Sequence, residues 1–279
     1  MTTFEGIVFG ILQGVTEFLP VGARAHLALV PQLFGLTAPE PAMLGALSLG
    51  SVLALLLYFR HDWASMISSF LQVVIYRKYP MTLDERMPFF LLIAVTPIAI
   101  AWYYFNDSIQ HLAEDPIWTV ATLAAFGALL GLADYFGRKS KGMFDWNGMD
   151  SAVIGMGMII ALVPGAGLVG SAMLLCLFRN YRRESAAKFT FFLALPILVA
   201  SAILHLKGVS FRSAAPSSDF SWITFIVACL VTVFFGVLTL GGFMKHIQRK
   251  GMGVYVTYRI LAAIAVLIWL QFKDRASLG

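Results

Sequence analysis

Six apolar runs, at residues 42–59, 88–105, 117–136, 188–206, 221–241 and 254–272, each approach the ~20 residues a helix needs to cross ~30 Å of hydrocarbon. In lipid every backbone N–H and C=O must find its partner within the protein, so a series of such runs folds as a bundle of membrane helices. The composition agrees. Of 279 residues, 59% are hydrophobic and 13% charged, against roughly 25% charged in an average soluble domain, and the mean hydropathy is +0.81. A water-soluble surface cannot be dressed from that supply. The expectation is an all-α integral membrane protein forming one membrane domain, 1–279.

The net charge of +5 comes from 20 Lys and Arg against 15 Asp and Glu. Nucleic-acid binding would need those cations gathered into one exposed patch. Instead they form short clusters between apolar runs, which argues for no nucleic-acid partner and for loops at a membrane surface. Cys176 and Cys229 lie inside separate apolar runs and read as small buried hydrophobes, not as a disulfide, redox or zinc pair. No basic n-region or small-residue cleavage signal precedes a clean apolar core, so Met1 onward reads as mature protein.

Two further apolar regions, 4–36 and 149–178, are broken in the middle, by Leu19-Pro20-Val21-Gly22 and by Val163-Pro164-Gly165-Ala166-Gly167. Each arm has about fifteen residues, too short to cross without extra tilt or thinning. They read as re-entrant helical hairpins. If both hairpins return to the side they entered, the cations sort consistently. Arg60, Arg77, Lys78 and Arg86 share a side with Arg138, Lys139, Lys141, Arg179, Arg182, Arg183, Lys245, Arg249 and Lys250, while the other side carries Lys207 and Arg212. The first set is then cytoplasmic and both termini lie outside. After residue 60, Trp63, Met66, Ile67, Phe70, Leu71 and Val74 recur at helical spacing. They form either an interfacial amphipathic helix or a loop helix packed on the bundle.

Pro20 and Pro164 stand 144 residues apart, about half the chain. Three spans lie between the two breaks, so the second copy enters from the opposite face. The expected arrangement is an inverted repeat with halves near 1–140 and 141–279. Such repeats place discontinuous helices at the midplane, where free N–H groups and the positive ends of half-helices favour an anion.

The first hairpin reads Gln13-Gly14-Val15-Thr16-Glu17-Phe18-Leu19-Pro20-Val21-Gly22-Ala23-Arg24-Ala25-His26. Gln13 and Glu17, four apart, share a helix face. A charge at a helix centre costs ~2.5–3.5 kcal/mol even on insertion scales, so Glu17 and Arg24 are paired with each other, hydrated, or turned to a polar ligand. With His26 nearby, the set supplies a carboxylate, a cation and an imidazole, the parts needed to hold a phosphate and move a proton.

This stretch resembles the first signature of the bacitracin-resistance undecaprenyl-diphosphatase family: Glu or Gln, three residues, Glu-Phe-Leu-Pro-Val, then His five residues after the Val. The resemblance extends through Leu49-Gly50-Ser51-Val52-Leu53-Ala54, Ala186-Ala187-Lys188-Phe189-Thr190-Phe191, Leu195-Pro196 and Tyr258-Arg259. It implies a membrane enzyme of the bacterial inner membrane, with its site facing outside, that removes the terminal phosphate of undecaprenyl diphosphate, a polyprenyl lipid carrier of cell-wall synthesis. It implies a divalent cation (Mg2+ or Ca2+) with Glu17 as motif acid and metal ligand, Gln13 as its partner, and His26 as the nucleophile or proton-transfer group. The second signature departs. Where the family has Pro-Gly-x-Ser-Arg-Ser-Gly, this chain has Pro164-Gly165-Ala166-Gly167-Leu168-Val169-Gly170, and in the first tip Gly22-Ala23-Arg24-Ala25 replaces a Ser/Thr-rich run.

An Arg is thus absent from one tip and present in the other. If the tips meet, Arg24 stands in for the missing guanidinium. Gly165, Gly167, Ser171 and Arg259 complete the expected substrate-binding set, although Ser171 also reads as a packing residue. Arg259, alone in the last span, reads equally as partner to a carboxylate or backbone carbonyl. Asp134 and His205 are expected to snorkel to the interface, and Arg179, Arg182 and Arg183 to meet lipid headgroups. Two functions fit: a phosphatase with a rearranged site, or a degenerate relative that carries polyprenyl phosphate across the membrane. The oligomeric state, a homo-oligomer included, is left open.

Overall fold

A computed structural model describes residues 1–207 and 221–277, without the side chains of 106–108, 110–114 and 273–277. Among the described residues the regular elements are helical, and six helices are long and apolar enough to cross a membrane. These are α3 (Pro41–Tyr58), the Leu83–Phe105 part of α5 (Leu83–Glu114), α6 (Pro116–Phe136), α9 (Arg183–Lys207), α10 (Trp222–Arg249) and the Gly253–Phe272 part of α11 (Gly253–Ser277). The two broken regions fold as pairs of shorter helices. α1 (Thr3–Thr16) and α2 (Ala23–Phe34) make the first hairpin; α7 (Gly148–Gly157), a 3-10 turn at Met158–Leu162 and α8 (Leu168–Phe178) make the second. α4 (Arg60–Ile75) connects α3 to α5. Arg212 lies outside the described residues.

Local chemistry sets the helix starts. Thr2 and Glu5 form a capping box at α1, and Glu5 Oε1 also accepts from the Thr37 N–H at 2.9 Å, which ties the two arms of the first hairpin at its mouth. A second capping box, Thr82 with Glu85, starts α5 five residues before its apolar run begins, so the charged Asp84, Glu85 and Arg86 are helical. Gly22 and Gly167, with φ of 84° and 78°, precede α2 and α8 in conformations that favour glycine.

Small residues let the layers approach. Gly6, Gly10 and Gly14 lay α1 along α10; a Cβ on Gly14 would stand 2.9 Å from the Thr232 carbonyl oxygen. Gly155 does the same for α7 on α5, where a Cβ would reach 2.7 Å from the Ala94 backbone. α3 packs on α9 and α6 on α11. α4 is a helix packed on the bundle: Met66 and Val73 are buried and Phe70 packs on Phe89, while Ile67, Leu71 and Val74 remain exposed.

Two loop expectations are corrected. Asp134 does not snorkel: it accepts from Arg183 Nε at 2.6 Å, Arg183 Nη2 at 3.0 Å and the Met252 N–H at 3.0 Å, tying α6 to the starts of α9 and α11. Arg179 donates from Nε to Asp150 at 2.6 Å, and Asp150 also receives Lys141 at 2.8 Å and the Tyr181 hydroxyl at 2.6 Å. Of the basic run only Arg182 stays exposed, because carboxylates distant in sequence engage the other two. His205, half-buried near the end of α9, has its Nδ1 2.8 Å from the Ser201 carbonyl oxygen of the same helix.

Candidate functional site at the hairpin tips

The α1 helix carries Gln13 on its buried face one turn before the first break. Its Nε2 donates to Glu17 Oε2 at 3.1 Å and to Ser51 Oγ of α3 at 3.2 Å, which uses both amide hydrogens. The Oε1 atom of Gln13 is buried and has no hydrogen-bond partner. Buried orphan oxygens are rare and ask for a donor or a cation. Phe18, fully buried and edge-on to Phe191 at 6.2 Å, fixes the tip beyond Glu17. Among the described residues Glu17 and Arg24 form no ion pair within 4.0 Å. Arg24 itself is exposed, in the first turn of α2, where the Ala25 N–H already bonds the Gly22 carbonyl at 3.1 Å.

His26 faces α11. Its Nδ1 lies 2.9 Å from the Gly22 carbonyl oxygen and its Nε2 2.7 Å from the Tyr258 hydroxyl. A carbonyl can only accept, so Nδ1 carries a proton, and in the neutral imidazole Nε2 accepts from the Tyr258 hydroxyl. No hydrogen bond joins His26 to Glu17 or Arg24 among the described residues. The sequence-expected group therefore divides into Gln13 with Glu17 beside α3, and His26 beside α11, with Arg24 on the turn between them.

The two tips touch. A Cβ on Gly167 would stand 2.7 Å from Gly22 Cα, and one on Gly165 would collide with Thr122 and the α6 backbone. Thr122 donates to the Pro164 carbonyl. Arg259 is fully buried at this junction, donating from Nε to the Leu123 carbonyl at 3.1 Å, from Nη1 to Pro20 at 3.3 Å, and from Nη2 to Ala166 at 2.8 Å and to Gly165. Gly165, Gly167 and Arg259 thus face the inside of the junction. Ser171 is 1% exposed and its Oγ has no partner.

Sequence reasoning missed Ser51 as the third member of the Gln13 group and the line Ser48, Ser201, His205 across α3 and α9, with hydroxyl oxygens 3.2 Å apart. The available signal was a pair of serines three apart inside an apolar run. At the mouth of the second hairpin, outside the spans, the chemistry is structural. Burial would raise the Asp150 carboxyl, but Lys141, Tyr181 and Arg179 outweigh it and hold the group below its ordinary range. Burial, and then the Asp150 charge, push the Tyr181 hydroxyl up.

A divalent cation, which the resemblance implies, finds a partial donor set here. Among the described residues no three His, Cys, Asp or Glu side chains gather into a cage. The Glu17 carboxylate and the orphaned Gln13 Oε1 are hard oxygen donors that suit an ion completing its shell with water and phosphate oxygens.

A family model described as "Bacitracin resistance protein BacA" matches residues 6–265. The undecaprenyl-diphosphatase of Desulforudis audaxviator is 31% identical over 268 residues, covering 96% of this chain and 98% of that protein. Those of Thermobifida fusca and Idiomarina loihiensis are 30% and 31% identical, each covering 98% of this chain and 91% and 100% of their own lengths.

Proposed function

This chain belongs to the bacitracin resistance protein BacA family, and from that premise we propose that it hydrolyses undecaprenyl diphosphate with chemistry concentrated on the first hairpin. It is a multi-pass membrane protein of the polyprenyl-diphosphate-phosphatase type. In the proposed reaction a new P–O bond forms at the terminal phosphorus while the bridging P–O bond breaks. Polyprenyl phosphate leaves with the bridging oxygen, and inorganic phosphate is released. The Arg24 guanidinium, with its own backbone N–H in the first turn of α2, holds the phosphate oxygens, as helix N-termini do for anions. Glu17, oriented by Gln13, accepts the proton of the attacking water. His26, held by Tyr258 and Gly22, orders the turn between Glu17 and α2. Glu17 and Gln13 Oε1 would hold a divalent cation, which when bound would supply charge neutralisation at the diphosphate.

The observation that carries this reading is the orphaned Gln13 oxygen beside Glu17, within an apolar bundle whose first tip also carries the exposed Arg24. The asymmetry of Lys and Arg between the loops supports a bacterial inner-membrane location with the site and both termini outside. Phosphate release from undecaprenyl diphosphate by the purified protein, with and without Mg2+ or Ca2+, tests it. Cation-dependent release is the expected result. Lipid bound and moved across liposomes without release would replace hydrolysis by carriage.

A further inference from the structure

Breaking a helix inside a membrane frees backbone carbonyls that no water can satisfy. Here the freed carbonyls of both breaks converge on one side chain. Arg259 bonds Pro20 at the first tip, Gly165 and Ala166 at the second, and Leu123 in α6, filling four of the five N–H groups of a guanidinium. Among the described residues it forms no ion pair within 4.0 Å, and it is 0% exposed. Gly127 and Gly170 make room for it: Cβ atoms there would stand 3.0 Å from Arg259 Cβ and 2.7 Å from Nη1. The preceding residue acts on the same turn, since Tyr258 holds His26, whose other nitrogen holds the Gly22 carbonyl. Adjacent residues of α11 thereby fix Pro20 and Gly22, on either side of Val21.

We propose that Arg259 is a positioning residue that clamps the two re-entrant tips together through their backbone carbonyls and so aims the Arg24-bearing end of α2 at the diphosphate. The aim at a diphosphate rests on the function proposed above, whereas the clamp does not. Lys would keep the charge but present a single ammonium where a planar fork now spans three chain segments. Arg259→Lys therefore loosens the junction without removing the cation. Gly170→Ala reaches the same end by pushing Nη1 aside, although Ala is the better helix former.

Two readouts separate clamp from aim. The reporter for the clamp is Val21→Cys, at a position 4% exposed, labelled with a membrane-impermeant maleimide; the native Cys176 and Cys229 are buried. Labelling is expected to rise about tenfold in Arg259→Lys and in Gly170→Ala, as local opening of the tip exposes the thiol. The reporter for the aim is the KM for undecaprenyl diphosphate without the cysteine. It is expected to rise about tenfold or more in both variants, since small misplacements are costly. Unchanged labelling in both variants overturns the clamp, whatever happens to turnover. If Arg259→Lys does not fold, Gly170→Ala decides. Raised labelling with unchanged KM overturns the aim. Raised labelling in a protein that neither binds nor hydrolyses the lipid refutes the proposed function and leaves the clamp standing.

Discussion

At the first tip the chain keeps Gln13, Glu17, Arg24 and His26 close in sequence to a Pro-Gly break; at the second, the same kind of break is flanked by Val163, Ala166, Gly167, Leu168 and Val169. Both tips use a left-handed glycine to start the returning helix, and both give their carbonyls to Arg259. They differ in what they leave open. The first exposes a cation, Arg24, whereas the second packs Gly167 against Gly22 and closes Gly165 against α6. On the proposed function the first tip is the reactive surface and the second its backing, with Gly167, Leu168 and Val169 standing where the resemblance leads one to expect Ser-Arg-Ser.

The largest effect that sharpens this contrast is expected from Glu17→Ala, with phosphate release falling by about 100-fold or more, as removal of a general base gives. Retained release in that variant would move the chemistry away from the first tip. Next is Gly167→Ser, which puts back a hydroxyl of the family signature. Its Cβ would meet Gly22 Cα at 2.7 Å with φ at 78°, so we expect loss of about 1–3 kcal/mol of stability and no gain in turnover. Thermal unfolding in detergent measures the first, and a gain in rate would show that the second tip is open.

A smaller, pH-dependent effect is expected at Asp150, away from the tip junction. Its folded carboxyl sits below the ordinary value, so its contribution is complete above about pH 4 and is lost as pH falls through the lowered folded value. Asp150→Asn should lower stability near neutral pH by about 1–3 kcal/mol, its partners being partly exposed. The difference from wild type should shrink below about pH 4, and KM should stay unchanged. The smallest effect is expected from Ser171→Ala, within about 0.5 kcal/mol of neutral, since the hydroxyl removed has no partner. A loss of turnover there would mean that the second tip still touches substrate.

The spans were legible because ~20 apolar residues in sequence have few alternatives, and the hairpins because Pro and Gly interrupt such runs. Where α5 begins was less so: Asp84 and Arg86 mark a loop by composition, while the Thr82–Glu85 capping box makes them helical. Gln13 and Glu17 stood out as polar groups in an apolar setting. Arg259 stood out as a lone cation with a carboxylate or backbone carbonyls as partners; the structure gives it carbonyls, and which ones could not be read, since backbone carbonyls have no side-chain signature. Asp134 and Arg183, 49 residues apart, each read as ordinary interfacial charges until the fold joined them. His26 was visible as a residue, but its orientation depended on Tyr258, 232 positions away.

The central claim is that the first tip supplies the anion-binding cation. Arg24→Leu, assayed for phosphate release from undecaprenyl diphosphate beside wild type at matched folded protein, tests it most directly. The account predicts at least a roughly 100-fold loss in kcat/KM, as for removal of one transition-state donor. Full activity in Arg24→Leu would contradict it and return the search for the phosphate-binding cation to the rest of the bundle.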